Sequence, residues 1–265
     1  MLSTPRNPQG AVADIATDAL HHGLAELDAA SDFAAAQVGL KAVAVAIGMP
    51  LLAWAPDVSR PEFDEHMDAF LRQEGWPDEV MALWWNRNAM LKSPLYIRCR
   101  TSGMPFVTGP SDNVPPRTAE LRQIVSAINA MGVRSLITMP IHLPRGRVAM
   151  VTWGGSATKA LARSVLAQTR TTLIAAAHLF MSSYLHENAG FRSSEEELAR
   201  LTPREWQCLR LTAQGFREEQ VATTIGLGST TVRFHLDNVV QKLGAANRTH
   251  AVALAAQLGL LGSIG

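Results

Sequence analysis

The sequence predicts an α+β protein of two domains, and three observations support this prediction. Residues 1–186 combine short apolar runs, typical of strands, with amphipathic segments at helical spacing. Residues 187–200, ENAGFRSSEEELAR, have the polar composition of an exposed linker. Residues 201–265 contain short helical patterns separated by glycine. We therefore expect an N-terminal α/β/α sandwich with an antiparallel sheet of about five strands, followed by an all-α domain of four helices.

Apolar spacing predicts the elements of the N-terminal domain. ADIATDALHHGLAELDAA predicts a covering helix, and QVGLKAVAVAIG and PLLAWAP predict a hairpin or two consecutive strands. Helices are expected over residues 61–73, 77–90 and 116–131, with an isolated strand at MPFVTG before the last of them. RSLITMPIHLPRGRVAMVTWGG predicts a hairpin that turns at Pro144 to Gly146, and a long helix follows from Lys159 to about His186.

Composition excludes several classes of protein. The chain has 265 residues, of which 47% are hydrophobic and 18% charged, so it can bury a full core and is not a disordered chain. No apolar run reaches the roughly 20 residues that a membrane span needs, and the N-terminus lacks the apolar segment of a secretory signal. The two cysteines have no CxxC spacing, so we expect them to be buried rather than to bind metal or form a disulfide. We expect a cytoplasmic protein without metal or cofactor.

Residues that would support an enzyme lack the necessary spacing. His142, Cys99 and Ser156 form no nucleophile elbow and no metal-ligand pattern, and GGSATK misses the spacing of a phosphate-binding loop. We therefore predict no catalytic residues.

Capping residues mark the helices of the C-terminal domain. Thr202, Pro203 and Glu205 provide an N-cap, a first-turn proline and a capping-box acid, and Gly215 is a natural left-handed C-cap. REEQVATTI predicts a second helix, GLG breaks the chain, a third helix covers residues 229–243, and RTHAVALAAQLGL predicts the fourth. Short helices joined by a glycine turn form a helix-turn-helix, whose last helix normally enters the major groove of DNA. The charge of this region is consistent with DNA binding, because residues 200–265 carry seven Lys/Arg against four Asp/Glu, a balance of +3.

The helix over residues 229–243 has two different faces. Its apolar stripe consists of Val232, Leu236, Val239, Val240 and Leu243. On the other face, Arg233 can reach a guanine edge or a phosphate, and Phe234 can contact a thymine methyl. Asp237 is either an acceptor for a cytosine amino group or a side chain held by a nearby arginine. The expected phosphate neighbours are Arg204, Arg217, Thr230, Thr231 and Lys242.

The C-terminal sequence resembles the LuxR-type DNA-binding domain over residues 200–262. This resemblance is carried by LTPREWQCLRLTAQG and VATTIGLGSTTVRFHLDNVVQKLGAANRTHAVALA. Within the family, FHL and LGL resemble the quorum-sensing branch more than the response-regulator branch. The recognition helix of that family usually opens with Ser-Glu, where this chain has Gly228 and Ser229, and Gln220 replaces a common Glu. The matching positions are Glu205, Leu209, Gly215, Thr231, Val232, His235, Lys242, Leu243, Asn247, Arg248, Ala251 and Val252.

The N-terminal element order resembles the autoinducer-binding domain of quorum-sensing regulators, with MGVRSLITMPIHLPRGRVAMVTW as the best-matching stretch. Receptors of acyl-homoserine lactones in that family present a Trp, a Tyr four residues later and an Asp-Pro nine residues after the Tyr. Aligning Pro94 with that proline places Ser93 at the Asp, Trp84 at the Tyr and Val80 at the Trp. This chain therefore lacks the charge-assisted acceptor of the Asp and the two donors of the Tyr and Trp, which leaves polar groups of such a ligand unpaired. We therefore predict that the ligand is not an ordinary acyl-homoserine lactone. The expected pocket residues are Trp54, Val80, Trp84, Ser93, Tyr96, Thr108 and Leu136.

The resemblance implies a dimeric transcription regulator of the LuxR quorum-sensing type. A small ligand, a lactone or another amphipathic signal, would change the pairing of two helix-turn-helix units on the half-sites of an inverted repeat in double-stranded DNA. RNA polymerase is a further expected partner. The alternative is a ligand-independent regulator or interaction protein that titrates another regulator or polymerase. We expect the long helix to form the dimer seam through Leu161, Val165, Leu173, Ala177, Phe180 and Tyr184.

Overall fold

The computed structural model describes residues 15–113, 119–143, 146–187, 201–257 and 261, which belong to two compact units. The predicted linker over residues 187–200 lies outside the described residues except for its first position, as do two of the three residues of the predicted Pro144 to Gly146 turn. No helix within these ranges is long and apolar enough to cross a membrane. Both cysteines are buried, as expected.

The N-terminal unit is a mixture of helices and strands. Its elements are α1 (Thr17–Asp28), α2 (Phe33–Ala46), β1 (Leu51–Ala55), α3 (Glu65–Gln73), α4 (Asp78–Trp84), α5 (Arg87–Leu91), α6 (Pro94–Thr101), β2 (Phe106–Thr108), a 3-10 helix (Pro110–Asn113), α7 (Ala119–Ala130), β3 (Ser135–His142), β4 (Val148–Gly155) and α8 (Lys159–Glu187). The strands form one antiparallel sheet in the order β1-β4-β3-β2.

Helices cover both faces of this sheet, so the predicted α/β/α sandwich is confirmed. On one face, α2 and α8 place Phe33 and Phe180 against Trp54 of β1, with ring centroids 5.5 Å apart in both pairs. On the other face, side chains from α4 to α7 meet Ala53 and Thr152 around a cavity. Successive strand residues point to opposite faces, which is why neighbours in β1 lie in different layers.

The prediction of a strand over QVGLKAVAVAIG is wrong, because this segment forms α2. The Asp32 carboxylate caps the helix by accepting from the Ala35 N–H at 2.8 Å. The buried residues Phe33, Ala36, Leu40 and Val43 recur at helical spacing, which a run of apolar residues hides in the sequence. The described sheet therefore has four strands rather than about five.

The segment predicted as one helix over residues 77–90 is divided into α4 and α5. The Asn86 side chain accepts from the Ala89 N–H at 3.1 Å and starts the second helix. Pro94 then occupies the first turn of α6, a helix that the sequence analysis did not predict. Residues of all three short helices line the cavity described below.

Five of the six residues predicted for the dimer seam on α8 face the chain's own core, and the sixth, Leu161, is half-buried. Val165, Leu173, Ala177, Phe180 and Tyr184 are buried within the chain, and the aromatic rings among them pack on Trp54. An amphipathic stripe shows that a helix has a partner surface without showing whose surface it is. Here the partner surface is formed by the chain's own sheet together with α1 and α2.

The C-terminal unit contains α9 (Pro203–Ala213), α10 (Glu218–Ile225), α11 (Ser229–Lys242) and α12 (Arg248–Gln257), which confirms the four predicted helices. The capping box of Thr202 and Glu205 is present. Gly215 and Gly226 have positive φ angles of 89° and 68°, where glycine avoids the strain of a side chain. Val232, Leu236 and Val239 of α11 are buried in two small apolar clusters.

Candidate DNA-binding surface and ligand cavity

Helix α11 presents a polar and aromatic face opposite its buried stripe. Arg233 and Phe234 both lie on this face, and Phe234 is 62% exposed. Thr230 and Thr231 occupy the first turn of the helix and are exposed as well. The Phe234 ring contributes little to the core of its own domain, so this face offers an apolar ring beside a charged guanidinium group.

An ion-pair network fixes the charged residues of this surface. Both Nε and Nη2 of Arg233 donate to Oε2 of Glu218, at 3.1 and 3.0 Å. Arg248 at the start of α12 donates to Oε1 of Glu218 and, at 2.7 Å, to Oδ1 of Asp237. Of the two alternatives for Asp237, the structure therefore has the carboxylate held by a nearby arginine. Sequence analysis did not select Glu218 or Arg248 as site residues, because these ionic contacts join residues that are 11, 15 and 30 positions apart in the chain.

The arginines determine the protonation of Glu218. Partial burial alone would raise the pKa of its carboxyl group, but the hydrogen bonds from Arg233 and Arg248 outweigh burial and lower the pKa below its ordinary value. The carboxylate consequently remains charged at neutral pH. Two acids and two arginines in contact leave the network without net charge.

The remaining residues predicted to contact DNA differ in their surroundings. Arg204 and Arg217 are exposed, and Arg204 donates to the Gln207 side chain at 2.9 Å. Lys242 instead binds both carboxylate oxygens of the buried Glu205, at 2.9 and 2.8 Å. Lys242 therefore joins the end of α11 to the capping box of α9, and its contact with a DNA phosphate stays a prediction.

A cavity of about 60 Å³ lies between the sheet and the helices α4 to α7. It has room for about four water-sized groups. None of the lining residues is charged; they are Ala53, Trp76, Trp84, Met90, Ser93, Leu95, Tyr96, Pro110, Val125, Ile128, Leu136, Met150 and Thr152. The cavity is therefore an apolar space with a few neutral hydrogen-bonding groups.

Some of these neutral groups already form hydrogen bonds within the chain, and one does not. The Trp84 Nε1–H donates to the Tyr96 hydroxyl at 2.8 Å, and the Thr152 and Thr138 hydroxyls are 3.1 Å apart. Burial raises the pKa of Tyr96 and keeps its phenol neutral. Ser93 precedes the first residue of α6, yet its hydroxyl does not cap the helix and has no hydrogen-bond partner among the described residues. Ser93 thus retains full capacity to donate to or accept from a ligand.

Four of the predicted pocket residues line this cavity: Trp84, Ser93, Tyr96 and Leu136. Trp54 does not, because it lies on the opposite face of the sheet, against Phe33 and Phe180. Val80 and Thr108 are buried but do not line the cavity.

Several cavity residues that sequence analysis missed lie on strands β1 and β4, and one lies in a loop. Neighbouring residues of a strand point to opposite faces, so Ala53 faces the cavity and Trp54 does not. Met150 and Thr152 of β4 lie on the same face of the sheet as Ala53. Trp76 lies in the loop before α4 and is held by a hydrogen bond from its Nε1–H to the Leu52 carbonyl at 2.8 Å. Once the strands are assigned, the period of two in β4 is the signal that could have found Met150 and Thr152.

Two family models match the two parts of the chain. The family of autoinducer binding domains matches residues 32–184, and the family described as bacterial regulatory proteins, luxR family, matches residues 199–255. The quorum sensing-dependent transcriptional regulator RpaR of Rhodopseudomonas palustris is 28% identical over 189 residues, which cover 71% of this chain and 73% of RpaR. The transcriptional activator VanR of Vibrio anguillarum is 31% identical over 134 residues, or 51% of this chain and 55% of VanR.

Solved structures show the same fold. SdiA of Escherichia coli superposes with a TM-score of 0.60 at 16% identity, covering 93% of this chain and 99% of SdiA. A second structure, of SdiA in complex with octanoyl-rac-glycerol, gives a TM-score of 0.59 at 16% identity and covers 93% of this chain and 97% of that one. RpaR and VanR are transcriptional regulators and not enzymes, in agreement with the prediction of no catalytic residues. The chain therefore belongs to the LuxR family of quorum-sensing transcriptional regulators, with an autoinducer binding domain followed by a LuxR-type helix-turn-helix domain.

Proposed function

We propose that this regulator acts in the cytoplasm as a dimer, that two copies of α11 bind the half-sites of an inverted-repeat operator, and that a small neutral ligand in the cavity modulates this binding. The observation that carries the DNA-binding part is the exposed face of α11, with Phe234 beside Arg233. Arginine reads guanine edges and phenylalanine contacts thymine methyl groups, so this pair suits a mixed base sequence. Symmetric dimers of helix-turn-helix domains match palindromic half-sites about one helical turn apart.

Alanine substitutions at the two residues test this part. We expect Arg233→Ala and Phe234→Ala each to weaken specific operator binding by about 1–3 kcal/mol, because each removes a contact to a base edge. Fluorescence anisotropy with a duplex selected from a random-sequence pool by the unaltered protein measures the loss. Arg210→Ala is a matched control that removes an exposed arginine from α9. Equal operator affinity for all four proteins would refute the assignment of this face.

The chemistry of the cavity supports a neutral ligand. Its lining contains no carboxylate, and Ser93 offers a hydroxyl without a partner among the described residues. An amide N–H of an acyl-homoserine lactone would meet a weaker, uncharged acceptor there. SdiA, a structural neighbour, has been solved with octanoyl-rac-glycerol, which is neutral and contains no amide. A compact ester, ketone or alcohol fits these groups, and a longer chain requires the flexible Met90 and Met150 to move.

Thermal-shift measurements test the ligand. We expect short neutral esters and monoacylglycerols to raise the unfolding temperature more than acyl-homoserine lactones of equal length. Native mass spectrometry of the protein from its own host, before and after denaturation, then identifies any molecule bound at one copy per chain. A preference for the acyl-homoserine lactones, which are also neutral but carry an amide N–H, would overturn the proposal that the ligand contains no amide.

The small cavity also favours a second candidate, a regulator that needs no ligand and acts by binding another regulator or polymerase. A volume of about 60 Å³ is consistent with a core that is largely closed. The same experiments separate the two candidates. Host protein without a bound molecule, a melting temperature insensitive to all these compounds and full operator binding in their absence would favour the ligand-free regulator. A homodimer and contact with RNA polymerase remain part of the proposal in both cases.

A further inference from the structure

Arg233 is held along only one edge of its guanidinium group. Its Nε and Nη2 both donate to a single oxygen of Glu218. A guanidinium is planar and has a second edge, formed by Nη1 and the other N–H of Nη2, which can make two parallel hydrogen bonds. Nη1 has no partner among the described residues, and the Arg233 side chain is 65% exposed. The edge that remains available is the one suited to bidentate contacts.

Glu218 is itself fixed from the opposite side. Arg248 donates to the other oxygen of Glu218 and bridges it to Asp237 on α11. Glu218 is the first residue of α10, and its side chain is only 25% exposed, compared with 65% for Arg233. The carboxylate therefore links three helices, α10, α11 and α12, and serves as a fixed support for the more exposed arginine.

We propose that Glu218 is a positioning residue for base recognition, which orients Arg233 so that its Nη1–Nη2 edge contacts O6 and N7 of a guanine in the operator. This inference rests on the proposed DNA-binding role of α11. Without the carboxylate, the long arginine side chain would sample many rotamers and would pair with the nearest phosphate as readily as with a base. Arg248 supports Glu218 and does not need to touch DNA.

Electrostatics alone makes the opposite prediction. A carboxylate on a DNA-facing surface repels phosphates, so its removal should strengthen binding to any sequence. A positioning role predicts instead that its removal weakens the preference for guanine. The two effects have opposite signs on specific binding, which makes the role measurable.

The chain offers a matched control for the charge. Glu219 is the next residue of α10 and is exposed, and no side-chain contact with Arg233 is present. Glu218→Gln and Glu219→Gln therefore change the net charge equally, and only the first weakens the support of Arg233. Gln is close in shape to Glu, and thermal unfolding of both variants verifies the fold.

The experiment selects duplexes from a random-sequence pool with the full-length protein, its Arg233→Ala variant and the two glutamine variants. The Arg233→Ala profile identifies the guanine that Arg233 reads. At that position we expect Glu218→Gln to lose about tenfold in preference, within the range of one bidentate contact, while its affinity for an unrelated duplex stays equal or rises. Glu219→Gln should keep the guanine preference and show only the increase in affinity for any duplex.

A second variant and a modified base make the result decisive. Glu218→Asp keeps the charge but withdraws the carboxylate by one methylene, so it should lose the same preference without a general gain in affinity. Replacing that guanine by 7-deazaguanine removes the N7 acceptor, and should weaken binding of the unaltered protein but not of Glu218→Gln. If a Glu218 variant that folds keeps the guanine preference, the positioning role of Glu218 is overturned, while the proposed DNA-binding function stands. If the unaltered protein selects no sequence, the proposed DNA-binding function and this inference both fail.

Discussion

The two sites of this regulator differ in the kind of polar group they contain. The cavity of the N-terminal unit is lined by neutral groups only, among them the Ser93 and Tyr96 hydroxyls. The surface of the C-terminal unit is organised by charges, with Glu218 shared between Arg233 and Arg248. A site closed to solvent cannot hold an unpaired charge without a large desolvation cost, whereas an exposed site that meets phosphates requires charge. The difference in polar groups therefore follows from the position of each candidate site, inside a core or at the surface.

The largest expected effect concerns the interior of the N-terminal unit. Phe180 is fully buried, with its ring centroid 5.1 Å from Phe33 and 5.5 Å from Trp54. We expect Phe180→Ala to lower the free energy of unfolding of this unit by about 3–5 kcal/mol, since it leaves a cavity in the aromatic layer. Scanning calorimetry should show a shifted transition for this unit.

Phe234→Ala is the matched control for the comparison. It makes the same truncation at an exposed position of the other unit. We expect its effect on stability to stay within about 0.5 kcal/mol. A comparable loss for both variants would mean that Phe234 is part of a core, and the contrast between the two regions would be wrong.

A smaller effect is expected at Glu205, which joins the capping box to Lys242. Glu205→Gln should destabilise the C-terminal unit by about 2 kcal/mol, because it weakens the bonds to the Thr202 N–H and to Lys242. Urea denaturation measures the loss, and the exposed Glu219→Gln serves as the control. Equal midpoints for both variants would show that this ion pair adds nothing to stability.

The same residue makes stability depend on pH. Burial alone would raise the pKa of Glu205, but Lys242 and the Thr202 N–H together lower it below the ordinary value of 4.5. Glu218 is lowered in the same direction by its arginines. The folded state therefore binds protons less readily than the unfolded state, and this stabilisation is complete above about pH 4.5 and is lost as the pH falls through the folded pKa. In Glu205→Gln, the acid-induced loss in the C-terminal unit should be smaller.

The smallest expected effect is at Ser93. Ser93→Ala should leave stability within about 0.5 kcal/mol, because the hydroxyl has no partner to lose, but it should weaken a neutral ligand by about 1 kcal/mol. Titration calorimetry with a short neutral ester measures the affinity, and Ser182→Ala on the exposed side of α8 is the control. Ligand affinity unaffected by Ser93→Ala would remove Ser93 from the site.

The sequence by itself determined the features that depend on neighbouring residues. The capping box at Thr202, the glycine after α10 and the two faces of α11 all follow from local spacing within one or two helical turns. For the same reason Arg233 and Phe234 could be placed on the outer face before the structure was known.

Tertiary structure alone decided the features that depend on distant partners. It placed Trp54 on one face of the sheet and Ala53 on the other, since a strand buried on both faces has no polar side to reveal its orientation. It packed the α8 stripe on the chain's own sheet and on α1 and α2. It also brought Glu218, Arg233 and Arg248 together from three helices, because ion pairs of this kind depend on distance in space and leave no periodic signal in the sequence.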